Sequence, residues 1–104
     1  MRRGEIWFAD TGSGGDRPVL VLTRDPVADR IGAIVVAQLT TTIRGVSSEL
    51  PLGAGDGLQR DCVASFDNLH TLGRAAFRRR AAVLSPARMR DACTVLADAL
   101  GCGG

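Results

Sequence analysis

Gly12-Ser13-Gly14-Gly15-Asp16-Arg17-Pro18-Val19-Leu20-Val21-Leu22-Thr23 is the stretch that decides the fold of this chain. A glycine-rich turn hands over at Arg17 to an unbroken run of β-branched residues and leucine, the pattern of a strand covered by protein on both faces. Pro18 stands at the start of that strand, where a missing N–H is tolerated. A second run of the same character, Ala33-Ile34-Val35-Val36-Ala37-Gln38-Leu39, ends in Thr40-Thr41-Thr42. If the two runs pair as neighbours, the guanidinium of Arg17 and the hydroxyl of Thr40 face one shallow site. A planar cation beside a hydroxyl is a combination that binds phosphate.

Outward from this pair the chain reads as short strands separated by turns. Glu5-Ile6-Trp7-Phe8-Ala9 is a first strand, closed by Asp10-Thr11-Gly12. Asp25 to Ile31 links the two central runs with a helical turn, and Asp29 and Arg30 are expected in solvent. Ser47 to Leu52 alternates as a half-exposed strand, and Gly53-Ala54-Gly55-Asp56-Gly57 is a turn. Asp61 to Phe66 returns as a fourth major strand that ends at Asp67-Asn68-Leu69-His70-Thr71-Leu72. A helical turn over Arg74 to Phe77 then leads to a strand through Arg79 to Leu84.

The last element carries the clearest signals. Ser85 is an N-cap, Pro86 suits the first helical position, and Leu84 staples onto Met89 across the cap. Met89, Ala92, Cys93, Leu96 and Leu100 fall on one helical face, and Gly101 ends the helix. Strands followed by one terminal amphipathic helix predict an α+β fold with a strongly curved or barrel-like antiparallel sheet.

Composition narrows the classes of function. At 104 residues the chain is expected to be one domain, 1–104, small enough that burying a face in a second copy would help stabilise it. A hydrophobic content of 45% excludes wholesale disorder, and the longest apolar run is far short of a membrane span. The opening Met1-Arg2-Arg3-Gly4-Glu5 lacks the apolar stretch of a signal peptide, so a soluble, cytoplasmic protein is expected. Cys62, Cys93 and Cys102 match neither a zinc site nor a redox pair; the first two read as core residues and the third as exposed. With His70 as the one histidine, neither a metal nor a cofactor is expected.

The basic residues are all arginine, which favours bidentate contact with phosphate over point-charge attraction. Residues 71–104 hold six Arg against two Asp and carry +4, while the remainder carries −2. A basic C-terminal third suits an anionic partner.

Four blocks, in order, carry a resemblance to a known family. They are Arg3-Gly4-Glu5-Ile6-Trp7, the Gly-Gly-x-Arg-Pro-Val-Leu-Val-Leu run at 14–22, Leu39-Thr40-Thr41-Thr42, and Asp67-Asn68-x-x-Thr71-Leu72. Their sequence and spacing resemble the MazF-like (PemK/Kid) toxins over nearly the whole chain. The resemblance implies a dimeric, SH3-like small barrel and a metal-independent ribonuclease that cuts single-stranded RNA at short motifs. It implies attack of a ribose 2′-OH on the adjacent phosphate, leaving a cyclic phosphate and a free 5′-OH. It also implies an acidic cognate antitoxin that occupies the RNA groove.

On that reading Arg17 and Thr40 match the family's catalytic positions, and Asp67 is the candidate base, since some members use an acid there. Asn68 has the amide edge to read a base, Thr41, Thr42 and Arg44 are expected to hold flanking phosphates, and His70 is expected to contact RNA. Two departures stand out: the loop between Asp10 and Arg17 is short and lacks a Glu often found there, and Ser65 occupies a position where some members carry a second catalytic Arg. The rival functions are a CcdB-like gyrase-binding toxin and a non-catalytic SH3-like interaction module. The tail Ala99-Leu100-Gly101-Cys102 lacks the Trp-containing end of the gyrase poisons.

Overall fold

Strand order follows from which apolar runs need cover on both faces. The computed structural model describes residues 1–24 and 32–102. Its strands are β1 (Glu5–Asp10), β2 (Asp16–Val21), β3 (Ala33–Thr40), β4 (Glu49–Leu52), β5 (Cys62–Gly73) and β6 (Phe77–Val83), followed by α1 (Pro86–Ala99). All six form one antiparallel sheet in the order β4-β5-β3-β2-β1-β6, so the two doubly apolar runs lie at its centre. The expected helical turn over residues 25–31, with Asp29 and Arg30, lies outside the described residues.

Alternation along β2 divides the interior in two. Leu20 and Leu22 face a core shared with Ile6, Ala37, Leu39 and the helix, while Val19 and Val21 face a second core with Ala9, Ile34, Val36 and Phe77. The sheet is strongly curled: Leu50 and Leu52 from one edge strand and Ala81 and Ala82 from the other pack into the same helix-covered core. This is the curved sheet with a C-terminal helix that the sequence predicts. Residues 49–52 depart from expectation. Leu50 and Leu52 are buried because α1 roofs that face of the strand, and Glu49 is buried under the preceding segment, whose Arg44 and Gly45 N–H groups it accepts.

β5 is longer than expected and contains an irregularity. Ala37 pairs with Leu69, but Gln38 pairs with Ser65, so Phe66, Asp67 and Asn68 have no counterpart on β3. Asp67 and Asn68 therefore sit in a bulge within a strand rather than in a loop after one. Ser48 braces the bulge from the neighbouring chain segment: its carbonyl accepts the Phe66 N–H at 2.9 Å, and its hydroxyl donates to Asp67 Oδ2.

The helix begins as predicted, with Ser85 Oγ accepting the Arg88 N–H at 3.2 Å and Pro86 in the first turn. Its inner face differs at the C-terminal end. Ala92 is fully buried, and Met89, Val95, Leu96 and Ala99 pack against the core, whereas Leu100 caps the helix and is 59% exposed. Gly101, at φ 75°, turns the chain out of the helix just after Leu100. Cys62 is buried and Cys102 exposed as expected, but Cys93 lies on the helix flank, with Arg3 donating to its Sγ at 2.6 Å. None of the described helices is long and apolar enough to cross a membrane.

Glu5 ties the two ends of the chain together. Its carboxylate accepts the Arg2 N–H at 2.7 Å, the Trp7 indole N–H at 3.1 Å and the Arg80 guanidinium at 2.9 Å. Burial alone would raise its pKa, but the Arg2 N–H, the Trp7 indole and Arg80 together hold it below its ordinary value of 4.5. Its stabilising contribution is therefore full above that value and is lost as pH falls through the folded pKa. Glu5→Gln should cost about 1–3 kcal/mol in urea unfolding at neutral pH. The gap to wild type should close as pH falls below about 4.

Candidate functional site

The hairpin β1–β2 sets the position of Arg17. Gly12, Gly14 and Gly15 all have positive φ, which lets the chain reverse within Thr11–Gly15, and Asp10 Oδ1 accepts the Gly12 N–H at 2.9 Å to fix the turn. Ala9 then pairs with Arg17 and Asp10 with Asp16. On its other side β2 pairs with β3 through Val19–Gln38, Leu20–Ala37 and Val21–Val36. Carried two residues further, the same register sets Arg17 across from Thr40. The two side chains line one open cavity of about 480 Å³, together with Ser13, Gln38, Thr41 and Cys62.

The electrostatics of this cavity are one-sided. Among the described residues no Asp or Glu lines it. The nearby acids are engaged elsewhere: Arg78 lies 3.7 Å from Asp16 and 4.0 Å from Asp10. Among the described residues Arg17 has no carboxylate partner. Cys62, at the cavity wall, has its thiol pKa pushed up by burial and by the charges of Asp56 and Asp61, so it stays neutral near neutral pH and adds no repulsion to an anion.

Thr40 has a second engagement. Its Oγ1 accepts the Thr42 N–H at 3.1 Å, which orients the hydroxyl and leaves its hydrogen available to another acceptor. That contact also fixes the start of the segment 41–47, whose far end is held by Glu49 accepting the N–H groups of Arg44 and Gly45 at 3.1 and 3.0 Å.

The remaining predicted site residues are spread over the adjoining surface. Thr41 lines the cavity with Arg17 and Thr40; Thr42, Arg44, Asp67, Asn68 and His70 do not. Asp67 and Asn68 are exposed on the β5 bulge, with Asp67 held by Ser48. His70 reaches the cavity through an intermediary, its Nε2 lying 3.0 Å from Gln38 Oε1. Sequence reasoning missed Gln38. The signal was there: one amide inside the otherwise apolar run 33–39.

Comparison with known proteins gives the family of the chain. A family model described as "PemK-like, MazF-like toxin of type II toxin-antitoxin system" matches residues 2–100. The chain belongs to this MazF-like toxin family. It is 64% identical over 103 residues to the "Probable endoribonuclease MazF2" of Mycobacterium tuberculosis strain CDC 1551, covering 98% of this chain and 100% of the relative. A second M. tuberculosis relative, "Probable endoribonuclease MazF5" of strain H37Rv, is 39% identical over 96% of this chain and 93% of its own.

Among solved structures, an endoribonuclease in complex with its cognate antitoxin from a mycobacterial species superposes with a TM-score of 0.87. That match is 31% identical and covers 97% of this chain and 95% of the other. The M. tuberculosis toxin MazF-mt6 gives a TM-score of 0.84 at 31% identity, covering 93% of this chain and 96% of that one. In this MazF-like chain the cavity is thus built by the blocks that carry the family pattern, Gly14 to Leu22 and Leu39 to Thr42.

The Gln38 contact has a spectroscopic signature. An amide oxygen accepts, so the neutral His70 ring must carry its hydrogen on Nε2. Nitrogen shifts of the imidazole at alkaline pH should report that tautomer in the wild type, and Gln38→Ala should return the ring to a mixture. A mixed tautomer in the wild type would remove the contact.

Proposed function

We propose that this chain is a single-domain endoribonuclease toxin that cleaves single-stranded RNA in the cytoplasm and is neutralised by an acidic cognate antitoxin. The observation that carries the reading is the convergence of Arg17 and Thr40 on one cavity that no acid lines among the described residues. The names of the relatives support it over the gyrase-binding alternative, since those reported above are endoribonucleases. The exposed apolar side chains Val35, Ile43, Val46 and Val83 are consistent with burial of a face in a homodimer.

The chemistry follows from where charge develops. A ribose 2′-OH attacks the adjacent phosphorus and loses its proton to solvent, the bond to the 5′-oxygen breaks and that oxygen takes a proton from solvent, and the products are a 2′,3′-cyclic phosphate and a 5′-OH. The pentavalent transition state gathers negative charge on its non-bridging oxygens. Arg17 supplies a bidentate cationic donor there, and the Thr40 hydroxyl a neutral one; both act as fixed donors that need no reorganisation. Arg17 acts here as a fixed cation that donates hydrogen bonds, not as a base.

The reaction therefore runs on charge stabilisation and in-line positioning of the phosphate. Asp67, engaged by Ser48, is assigned to holding the bulge rather than to removing the 2′-proton. Thr41, Thr42, Arg44, Asn68 and His70 are assigned to the nucleotides on either side of the cut. Affinity that leans on arginine should fall steeply with salt.

Incubation with a long single-stranded RNA in EDTA should give discrete cuts with 5′-OH ends. Absence of cleavage by folded protein would overturn the reading. Arg17→Ala should reduce cleavage at least about a hundredfold with folding intact, because the side chain is exposed and removes one transition-state donor. Thr40→Val should lose activity to a similar degree. Thr40→Ser, which retains both the donor and the acceptor for the Thr42 N–H, should keep most of it.

A further inference from the structure

A second cavity of about 500 Å³ opens directly beside the first. The two share Pro18, Leu39, Thr41 and Cys62 as common wall, which places this cavity within reach of a group next to a phosphate held at Arg17. The floor is apolar, formed by Phe8, Pro18, Leu39 and Leu58, and among the described residues no acid lines it. Arg60 and Arg79 stand at its rim, and among the described residues neither has a carboxylate partner. Other arginines of the C-terminal third do: Arg78, Arg80 and Arg88 pair with Asp16, Glu5 and Asp56.

Arg79 is held in an unusual way for an exposed residue. It is the cross-strand neighbour of Phe8, and its guanidinium carbon lies 4.2 Å from the centre of the Phe8 ring. A cation over an aromatic face is stabilised there without using up its hydrogen-bond donors. A planar group on a ring is also a platform, since the guanidinium's other face can stack against a third flat group. Gln59, exposed at the same rim, carries an amide that donates and accepts side by side, as a base edge requires.

We propose that this second cavity is a nucleobase subsite, in which the base next to the scissile phosphate stacks on the Phe8-backed Arg79 guanidinium and offers its edge to Gln59. Arg60 closes the rim toward the following phosphate. The proposal rests on the ribonuclease reading for the position of the phosphate. It extends that reading by naming the residues that hold a base. An acidic peptide also suits cationic rims, but a stacked guanidinium beside an amide matches the flat, polar-edged surface of a base.

The test reads binding rather than cleavage. A single-stranded 2′-fluoro RNA, which lacks the attacking hydroxyl, is selected from a random pool for tight binding to the wild type. Abasic residues then replace its nucleotides one position at a time. At one position the wild type should lose about tenfold in affinity, within the range that stacking contributes per base. Arg79→Thr combined with Gln59→Ala should show no loss at that position. Arg79→Lys should keep the salt dependence of binding yet also lose most of the base dependence. Equal base dependence in wild type and variants overturns the subsite, as does a pool that yields no ligand or variants that lose only an acidic peptide. Because cleavage is not read, an inactive enzyme would count against the ribonuclease reading alone.

Discussion

Everything in this molecule hangs on a pair of strands that cannot slip. β2 and β3 carry apolar side chains on both faces, and Val19, Leu20, Val21, Ile34, Val36 and Ala37 are all fully buried. A shift of one residue would exchange the contents of the two cores, so the register is set from both sides at once. The same register brings Arg17 toward Thr40. Site geometry is thus a by-product of core packing, and no side chain of the site has to hold it in place. The backbone positions of the two residues are thereby fixed by the packing of both cores.

Charge is distributed by the same logic of pairing. The net charge is only +2, and the +4 of residues 71–104 reads in sequence as a basic patch. Folding dismantles much of that patch. Arg78 faces the acids at the base of the β1–β2 hairpin, Arg80 meets Glu5, and Arg88 bridges Asp56 and Asp91. Alternation along β6 sends Arg79 to the other side of the strand from Arg78 and Arg80. Arg17, Arg60 and Arg79, without a carboxylate partner among the described residues, gather around the two connected cavities.

Legibility in the sequence tracked how local each feature was. The central strands, the cap at Ser85 and the start of the helix were readable because each rests on a short run of residues and its own hydrogen bonds. The pairing of Arg17 with Thr40 was readable because two strand ends and one register suffice. The full burial of Leu50 and Leu52 was not, since the roof over them comes from a helix far along the chain. Nor was the placement of Asp67: a bulge is a property of two strands, and its sequence Phe66-Asp67-Asn68 equally suits a strand end. The cavity beside the site was hidden for the same reason, being assembled from β1, β6 and the turn before β5.

The bulge also governs how this chain can change in length. Before it, Cys62, Ala64 and Phe66 face the helix-covered core; after it, Leu69 faces that same core although it is an odd number of residues away, and Leu72 faces the other. The three unpaired residues reverse the alternation of β5 partway along. Insertion or loss of one residue here would turn half of the strand inside out, whereas a change of two would preserve both faces. Variation among relatives at this point should therefore proceed in even steps, which lets the exposed tip be lengthened or redecorated while the two cores stay filled.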